Sequence, residues 1–219
     1  MELNGLKINF LGDSITEGHS VSDLNNVYWK RLEKNEGLAI ARGYGISGTR
    51  YAKKTVPSDN PRYDLDFCGR YKEMDDDADV VVVFGGTNDY GHGDAPLGSP
   101  DDREPYTFYG ACHTLYSGLI EKYPSATIVI MTPLHRLTED VVSGDIGKKN
   151  NCHPLSAYVA IEKEVAAYYS LPVLDLWATS GLQPRVPIIK ERYVPDGLHP
   201  NDAGQELLYK RLAGFLKSL

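Results

Sequence analysis

Five short apolar runs punctuate the chain: Lys7–Leu11 (KINFL), Leu38–Ala41 (LAIA), Ala78–Phe84 (ADVVVVF), Ala126–Met131 (ATIVIM) and Leu171–Leu176 (LPVLDL). They show little polar alternation and are rich in Val and Ile. Such runs predict strands covered on both faces, as in a parallel sheet. Between them the apolar spacing changes to that of helices. Phe108, Cys112, Leu115 and Leu119 recur at four, three and four residues; Tyr158, Ile161, Val165 and Tyr169 form a second stripe. A third joins Leu208, Leu212, Phe215 and Leu219, with Asn201 or Asp202 placed to cap it, and a further helix is expected over Asp23 to Glu36. Strands alternating with helices imply right-handed crossovers. The expected fold is therefore α/β: a three-layer α/β/α sandwich around a five-stranded parallel sheet of flavodoxin-like type.

Three polar stretches interrupt the pattern: Thr49–Asp77, Gly91–Pro105 and Pro133–Pro154. Structureless loops of that length are uncommon unless they carry a function. None reads as a linker between two cores, and there is no internal repeat, so residues 1–219 are expected to form a single domain.

Composition narrows the function without choosing it. Hydrophobic residues make up 42% and charged residues 24%, ordinary for a globular chain. A formal charge of −7 argues against a nucleic-acid partner, which would call for a basic face. Cys68, Cys112 and Cys152 have no metal-like spacing and cannot all pair, which fits free thiols in a reducing compartment. The N-terminal MELNGLKINF has no basic region, long apolar segment or cleavage site, and no run approaches the roughly 18 apolar residues of a membrane span. A cytoplasmic protein with no membrane partner is the expectation; the oligomeric state is left open.

The chemistry gathers where the strands end. Gly12-Asp13-Ser14-Ile15-Thr16 follows the first strand, Gly45-Ile46-Ser47-Gly48 the second and Gly85-Gly86-Thr87-Asn88-Asp89 the third. Asp196-Gly197-Leu198-His199-Pro200 precedes the last helix. Open parallel sheets bind ligands at the carboxyl ends of their strands, so all four segments are expected on one rim. A serine there becomes nucleophilic only beside a base. Of the six histidines, His199 alone has an aspartate three residues earlier, close enough to hold the ring in the required tautomer. Each residue alone has an ordinary explanation: Ser14 as a helix cap, Gly48 as a turn glycine, Asn88 as a turn or cap residue, and the Asp-Gly turn as a helix start.

In combination and in this order, the four segments resemble the SGNH hydrolases, the GDSL-like esterase and lipase family, over nearly the whole chain. Gly12-Asp13-Ser14-Ile15 matches the nucleophile block, Ile46-Ser47-Gly48 the glycine block, Gly86-Thr87-Asn88-Asp89 the asparagine block and Asp196–Pro200 the acid–base block. The resemblance implies a serine esterase with Ser14 as nucleophile, His199 as base and then acid, and Asp196 orienting it. It implies an oxyanion hole from the backbone N–H of Ser14, that of Gly48 and the Asn88 side-chain amide, with Gly45 an alternative to Gly48. Gly43 stands where the family commonly has an Asn. Thr16 replaces the second glycine of the elbow found in the separate α/β-hydrolase fold.

The polar and aromatic long loops favour a short acyl ester, such as an O-acetyl group on a carbohydrate, over a lipid. The expected partner is accordingly a small-molecule or glycan ester. Tyr90 and His135 are the candidate substrate contacts; Asp13 and Asp175 read as structural carboxylates. No cofactor and no metal are expected. The alternatives are an inactive glycan-binding member of the same fold, a lysophospholipase- or thioesterase-type acylhydrolase, a metal-dependent hydrolase using Asp13, Asn88, Asp89 and His199, and a flavodoxin-like nucleotide binder. The last lacks a phosphate-cradling glycine loop.

Overall fold

The computed structural model describes residues 1–219 and contains one five-stranded sheet, all parallel, in the order β2-β1-β3-β4-β5. The strands are β1 (Lys7–Gly12), β2 (Ile40–Gly45), β3 (Val80–Phe84), β4 (Thr127–Met131) and β5 (Val173–Leu174). The principal helices are α2 (Tyr28–Glu36), α5 (Phe108–Lys122), α6 (Leu155–Tyr168) and α9 (Asp202–Ser218). Shorter ones are α1 (Ser14–Glu17), α3 (Phe67–Arg70), α4 (Thr87–His92), α7 (Leu176–Thr179) and α8 (Pro187–Tyr193).

The pleat explains why the apolar runs do not alternate. Val81 and Val83 of β3 join Leu11, Ile128 and Ile130 in a core shared with α5 and α6. Val80, Val82 and Phe84 face the other way, joining Ile8, Phe10, Val129 and Met131 in a core shared with α2 and α9. Every residue of β3 is at most 2% exposed. Each such side chain contributes roughly 1.5–3 kcal/mol by leaving water. The expected α/β/α layering is the observed one, and no helix is long and apolar enough to cross a membrane.

Element boundaries depart from expectation for local reasons. The β2 run marks only the start of its strand, which continues through Arg42, Gly43 and Tyr44 to Gly45. As an edge strand β2 is half-exposed, so hydrophobicity does not outline it. At the other edge only Val173 and Leu174 pair; Asp175 leaves the ladder to cap α7, accepting from Ala178 N–H. The helix expected over 23–36 is divided. Asp23 caps a 3₁₀ turn at Leu24–Asn26, extended Val27 follows, and α2 begins at Tyr28.

Register places the rim. Gly12 pairs with both Gly45 and Phe84, Phe84 with Met131, and Met131 with Leu174, so all five strands finish at one level. From β1 the chain first winds outward to β2, then crosses back to β3 on the other side. The crevice at such a reversal lies between the loops after β1 and β3, which carry Ser14 and Asn88. Gly45 lets α1 sit against β2, since a Cβ there would lie 2.2 Å from Glu17 N and 2.5 Å from the Thr16 carbonyl carbon. Gly45→Ala is expected to destabilise the fold by about 1–3 kcal/mol through overpacking against backbone. Urea denaturation measures this, and an unchanged midpoint would contradict the packing role.

Candidate active site

The segment carrying Ser14 is a strand-to-helix turn held from several sides. Asp13 caps α1, its Oδ1 accepting from Ile15 N–H at 3.0 Å. Gly12 is a glycine because a Cβ would lie 2.0 Å from Thr16 Oγ1. Ser14, the first residue of α1, is 6% exposed, and its Oγ lies 3.0 Å from His199 Nε2. The other ring nitrogen, Nδ1, lies 2.6 Å from Asp196 Oδ2. Asp196 Oδ1 meanwhile accepts from Leu198 N–H at 2.8 Å and His199 N–H at 2.7 Å, closing the Asp-Gly turn on itself. Gly197 adopts φ +83°, a conformation glycine takes without strain. Asn201 then caps α9 through Ala203 and Gly204 N–H.

Two residues that sequence reasoning missed tie the ends of this array together. Gln205, wholly buried on α9, donates from Nε2 to Ile15 O at 3.1 Å and accepts Tyr28 N–H on Oε1 at 3.0 Å. It links the helix after His199 to the turn holding Ser14. The available signal was its place three residues before Leu208, a polar residue on an apolar stripe. His19, after α1, sets its ring 4.1 Å from that of His199, centroid to centroid. No periodicity marks it.

The electrostatics favour a neutral His199. Burial lowers the pKa of His199 below its ordinary 6.5; Asp196 pulls it up, while His19 and Arg136 push it further down. Burial opposes the charge of Asp196, but bonds from the His199 N–H, its ring and Leu198 N–H outweigh that and keep the carboxylate below its usual range. Near neutral pH, His199 therefore offers a lone pair to Ser14 while its other nitrogen is bonded to Asp196.

The expected oxyanion donors Gly48 and Asn88 stand in the segments that follow β2 and β3. Gly48 adopts φ +78°. Asn88, buried at the start of α4, donates one N–H of its amide to Thr49 O at 2.9 Å, which fixes the side chain and leaves its second N–H. Gly45 instead has the packing role described above.

The two expected substrate contacts differ in their surroundings. Tyr90 is wholly buried on α4, and its hydroxyl donates to the carbonyls of Thr138 and Val141, so it is a core residue. His135 is half-buried, with Nδ1 2.8 Å from Glu139 Oε2 and its ring 3.9 Å from Trp177. Its Nδ1 and one ring face are engaged within the protein. Asp175 is structural, bonded to Thr132 and Lys163 besides capping α7.

His19, Asp196 and His199 offer ligand atoms within 4.8 Å of one another, and this is the grouping able to hold a metal. Asp13 and Asp89 do not join it. Asp89 instead accepts the N–H groups of Tyr51 and Ala52.

Three acids lie buried beneath the rim. Burial pushes Asp13 up to about 7, against Ile15 N–H and Arg70, and Asp89 up to about 6, against the Ala52 and Tyr51 N–H groups. Glu162 of α6 is fully buried, and neither carboxyl oxygen has a partner. It sits under Gly86, where a Cβ would lie 2.0 Å from Oε1. Burial, with Asp89 and Asp13 nearby, raises it well above 4.5, so it stays protonated.

The chain matches the model of the GDSL-like Lipase/Acylhydrolase family over residues 10–207. It is 26% identical to a GDSL lipase of Mycobacterium tuberculosis over 207 residues, 93% of this chain and 78% of the relative. A solved structure of a protein from Lactobacillus plantarum is 30% identical with a TM-score of 0.84, covering 98% of both chains. An acetylxylan esterase from Geobacillus stearothermophilus shares the fold at 20% identity and a TM-score of 0.62, over 99% of this chain and 96% of its own. The chain belongs to the GDSL-like lipase/acylhydrolase family and is a carboxylic ester hydrolase.

Glu162 yields a stability test whose sign is fixed. Below 4.5 it is protonated in both the folded and the unfolded chain. Above 4.5 the unfolded chain ionises while the buried acid does not. Rising pH thus costs the wild type up to about 1.4 kcal/mol per unit relative to Glu162→Gln. Denaturation at pH 5 and pH 7 is expected to show the variant gaining on the wild type. A difference that does not change with pH would contradict a buried, protonated Glu162.

Proposed function

We propose that this hydrolase cleaves short-chain acyl esters through Ser14, His199 and Asp196, with O-acetyl groups on a carbohydrate or similar polar substrate as the natural target. The observation that carries the reading is the hydrogen-bonded chain from Ser14 Oγ through both ring nitrogens of His199 to Asp196. His199 takes the hydroxyl proton as Ser14 attacks the ester carbonyl, and Asp196 stabilises the imidazolium that forms. The negative charge on the tetrahedral intermediate falls to the N–H groups of Ser14, Gly48 and Asn88. Each such donor is worth about 10²–10³ in rate. His199 then protonates the leaving alcohol, and the acyl-serine is hydrolysed by a water that His199 deprotonates.

The short-acyl preference rests on the walls beside Gly48. Arg50, Lys54, Tyr63 and His92 line them, with Ile146 the purely aliphatic member. A long acyl chain gains little from such a surface, whereas a hydroxylated substrate finds donors and an aromatic face.

Ser14→Ala is expected to lose about 10³-fold or more in kcat/KM on p-nitrophenyl acetate. Because the pKa of His199 is lowered, wild-type kcat/KM falls only as pH drops through a value under 6.5. Full activity in the alanine variant would overturn the assignment of the nucleophile. In a series of p-nitrophenyl esters, acetate is expected to exceed decanoate in kcat/KM, and the reverse order would remove the short-acyl reading.

A further inference from the structure

Beside Gly48 lies an open cavity of about 330 Å³ whose walls include Arg50, Lys54 and His92. Arg50 is only 1% exposed and has no carboxylate within ion-pair distance. Its Nη2 donates to Tyr63 O at 2.7 Å, its Nη1 reaches Gly48 O and His92 Nδ1 only at 3.5 and 3.4 Å, and its Nε–H has no acceptor at all. Burying a guanidinium without an anion is costly, so such a group needs an explanation. The acids nearby are already engaged: Asp64 accepts Ser58 N–H, Asp66 that of Gly69, Asp89 the two amides named above, Asp94 on the wall of the neighbouring cavity the N–H groups of Thr55 and Val56, and Asp145 pairs with Arg136.

The neighbouring groups repeat the pattern. Lys54 donates to Ser58 Oγ and to no carboxylate. Burial and Arg50 push His92 down to about 4, so it is neutral. Arg50 can only donate, so His92 Nδ1 accepts and its Nε2 carries the hydrogen. Across His92 and Ile146 a second cavity of about 350 Å³ adds Lys148 and Lys149, again without ion pairs. Four unpaired cations thus follow one trench away from Gly48, in a protein whose formal charge is −7. Of the other 19 lysines and arginines, 11 are in ion pairs, as with Lys7–Asp77, Arg62–Glu17 and Arg185–Asp140.

We propose that this trench is a carboxylate-binding subsite, so that the preferred substrate is an acyl ester carrying a free carboxylate on the part that lies beyond Gly48. The proposal rests on the esterase reading above, in which Gly48 borders the reacting carbonyl. Arg50 supplies a fixed charge at the inner end, Lys54 a half-buried ammonium group beside it, Lys148 a second whose Nζ also donates to Asp89 O at 3.4 Å and lies over the rings of Tyr90 and Tyr158, and His92 a neutral donor. Such an arrangement strengthens binding of a charged substrate and raises its encounter rate, and salt screens both effects.

The test uses matched pairs that carry the charge on either side of the ester: mono-4-nitrophenyl glutarate against 4-nitrophenyl valerate, and O-acetyl-lactate against its methyl ester. In at least one pair, kcat/KM of the charged member is expected to exceed that of the neutral one by about tenfold at low salt. The ratio is expected to shrink several-fold as NaCl rises from about 20 mM to about 500 mM. It is also expected to fall toward parity in Lys54→Gln and Lys148→Gln, whose side chains are only part-buried; Arg50 is left intact because its removal endangers the fold. Equal or faster hydrolysis of the neutral member in both pairs overturns the proposal. So does a charge preference that neither salt nor the lysine variants alter.

A binding readout separates this proposal from the esterase reading. Titration of glutarate into the Ser14→Ala protein, followed by NMR, is expected to show saturable binding weakened at least about fivefold by Lys54→Gln. Absence of that binding overturns the subsite even if esters are cleaved. Its presence without hydrolysis of any ester upholds the subsite and overturns the catalytic reading.

Discussion

The site depends on a constraint of register. Because Gly12 pairs with Gly45 on one side and Phe84 on the other, three strands end level, and the segments that follow them are delivered to one crevice. Two glycines make the delivery possible. Gly12 leaves room for Thr16 inside the first turn of α1, and Gly45 lets that turn approach the backbone of β2. The hydroxyl of Ser14 is therefore positioned by backbone packing before any partner approaches it. His199 arrives from the other end of the chain, and Gln205, bonded to both Ile15 and Tyr28, joins the two ends. Ser14 and Asn88 stand at helix starts directly after strands, and Asp196 and His199 in a turn closed by hydrogen bonds to Asp196 just before α9, so little of the geometry is left to loop ordering.

Charge is handled differently above and below the rim. At the surface of the crevice, Asp196 keeps its charge because three N–H groups are directed at it, and that charge holds His199 in one tautomer. Below the rim, Asp13, Asp89 and Glu162 are packed where ionisation is disfavoured, and Glu162 has no hydrogen-bond partner. Glycine at 86 brings the asparagine block down onto that acid. The layer beneath the site gives up stability to hold its backbone closely packed, a compromise usual at functional sites.

Much of this was legible in the sequence. Non-alternating apolar runs implied strands buried on both faces, and the two cores divide β3 residue by residue as that pattern requires. The four polar segments were identifiable because each follows a strand or precedes a helix. What escaped had physical causes. The exposed edge strand β2 and the two-residue β5 carry too little hydrophobic signal to mark their ends. The helices α1, α4, α7 and α8 are too short to show a period. Tyr90 reads as one of the aromatic groups of the long polar loops, but α4 turns its ring into the core. His19 and Arg50 owe their places to long-range packing that no local pattern encodes.

The central claim is that Ser14 is made nucleophilic by a neutral His199 held by Asp196. Its most direct measurement is inactivation by a p-nitrophenyl alkylphosphonate across pH 4 to 8, with the modified peptide located by mass spectrometry. A single adduct on Ser14 is expected, formed in the presence of EDTA, at a rate that falls only below a pKa under 6.5 and collapses in His199→Ala. An adduct on another residue, or a rate on Ser14 indifferent to pH and to the loss of His199, would contradict it.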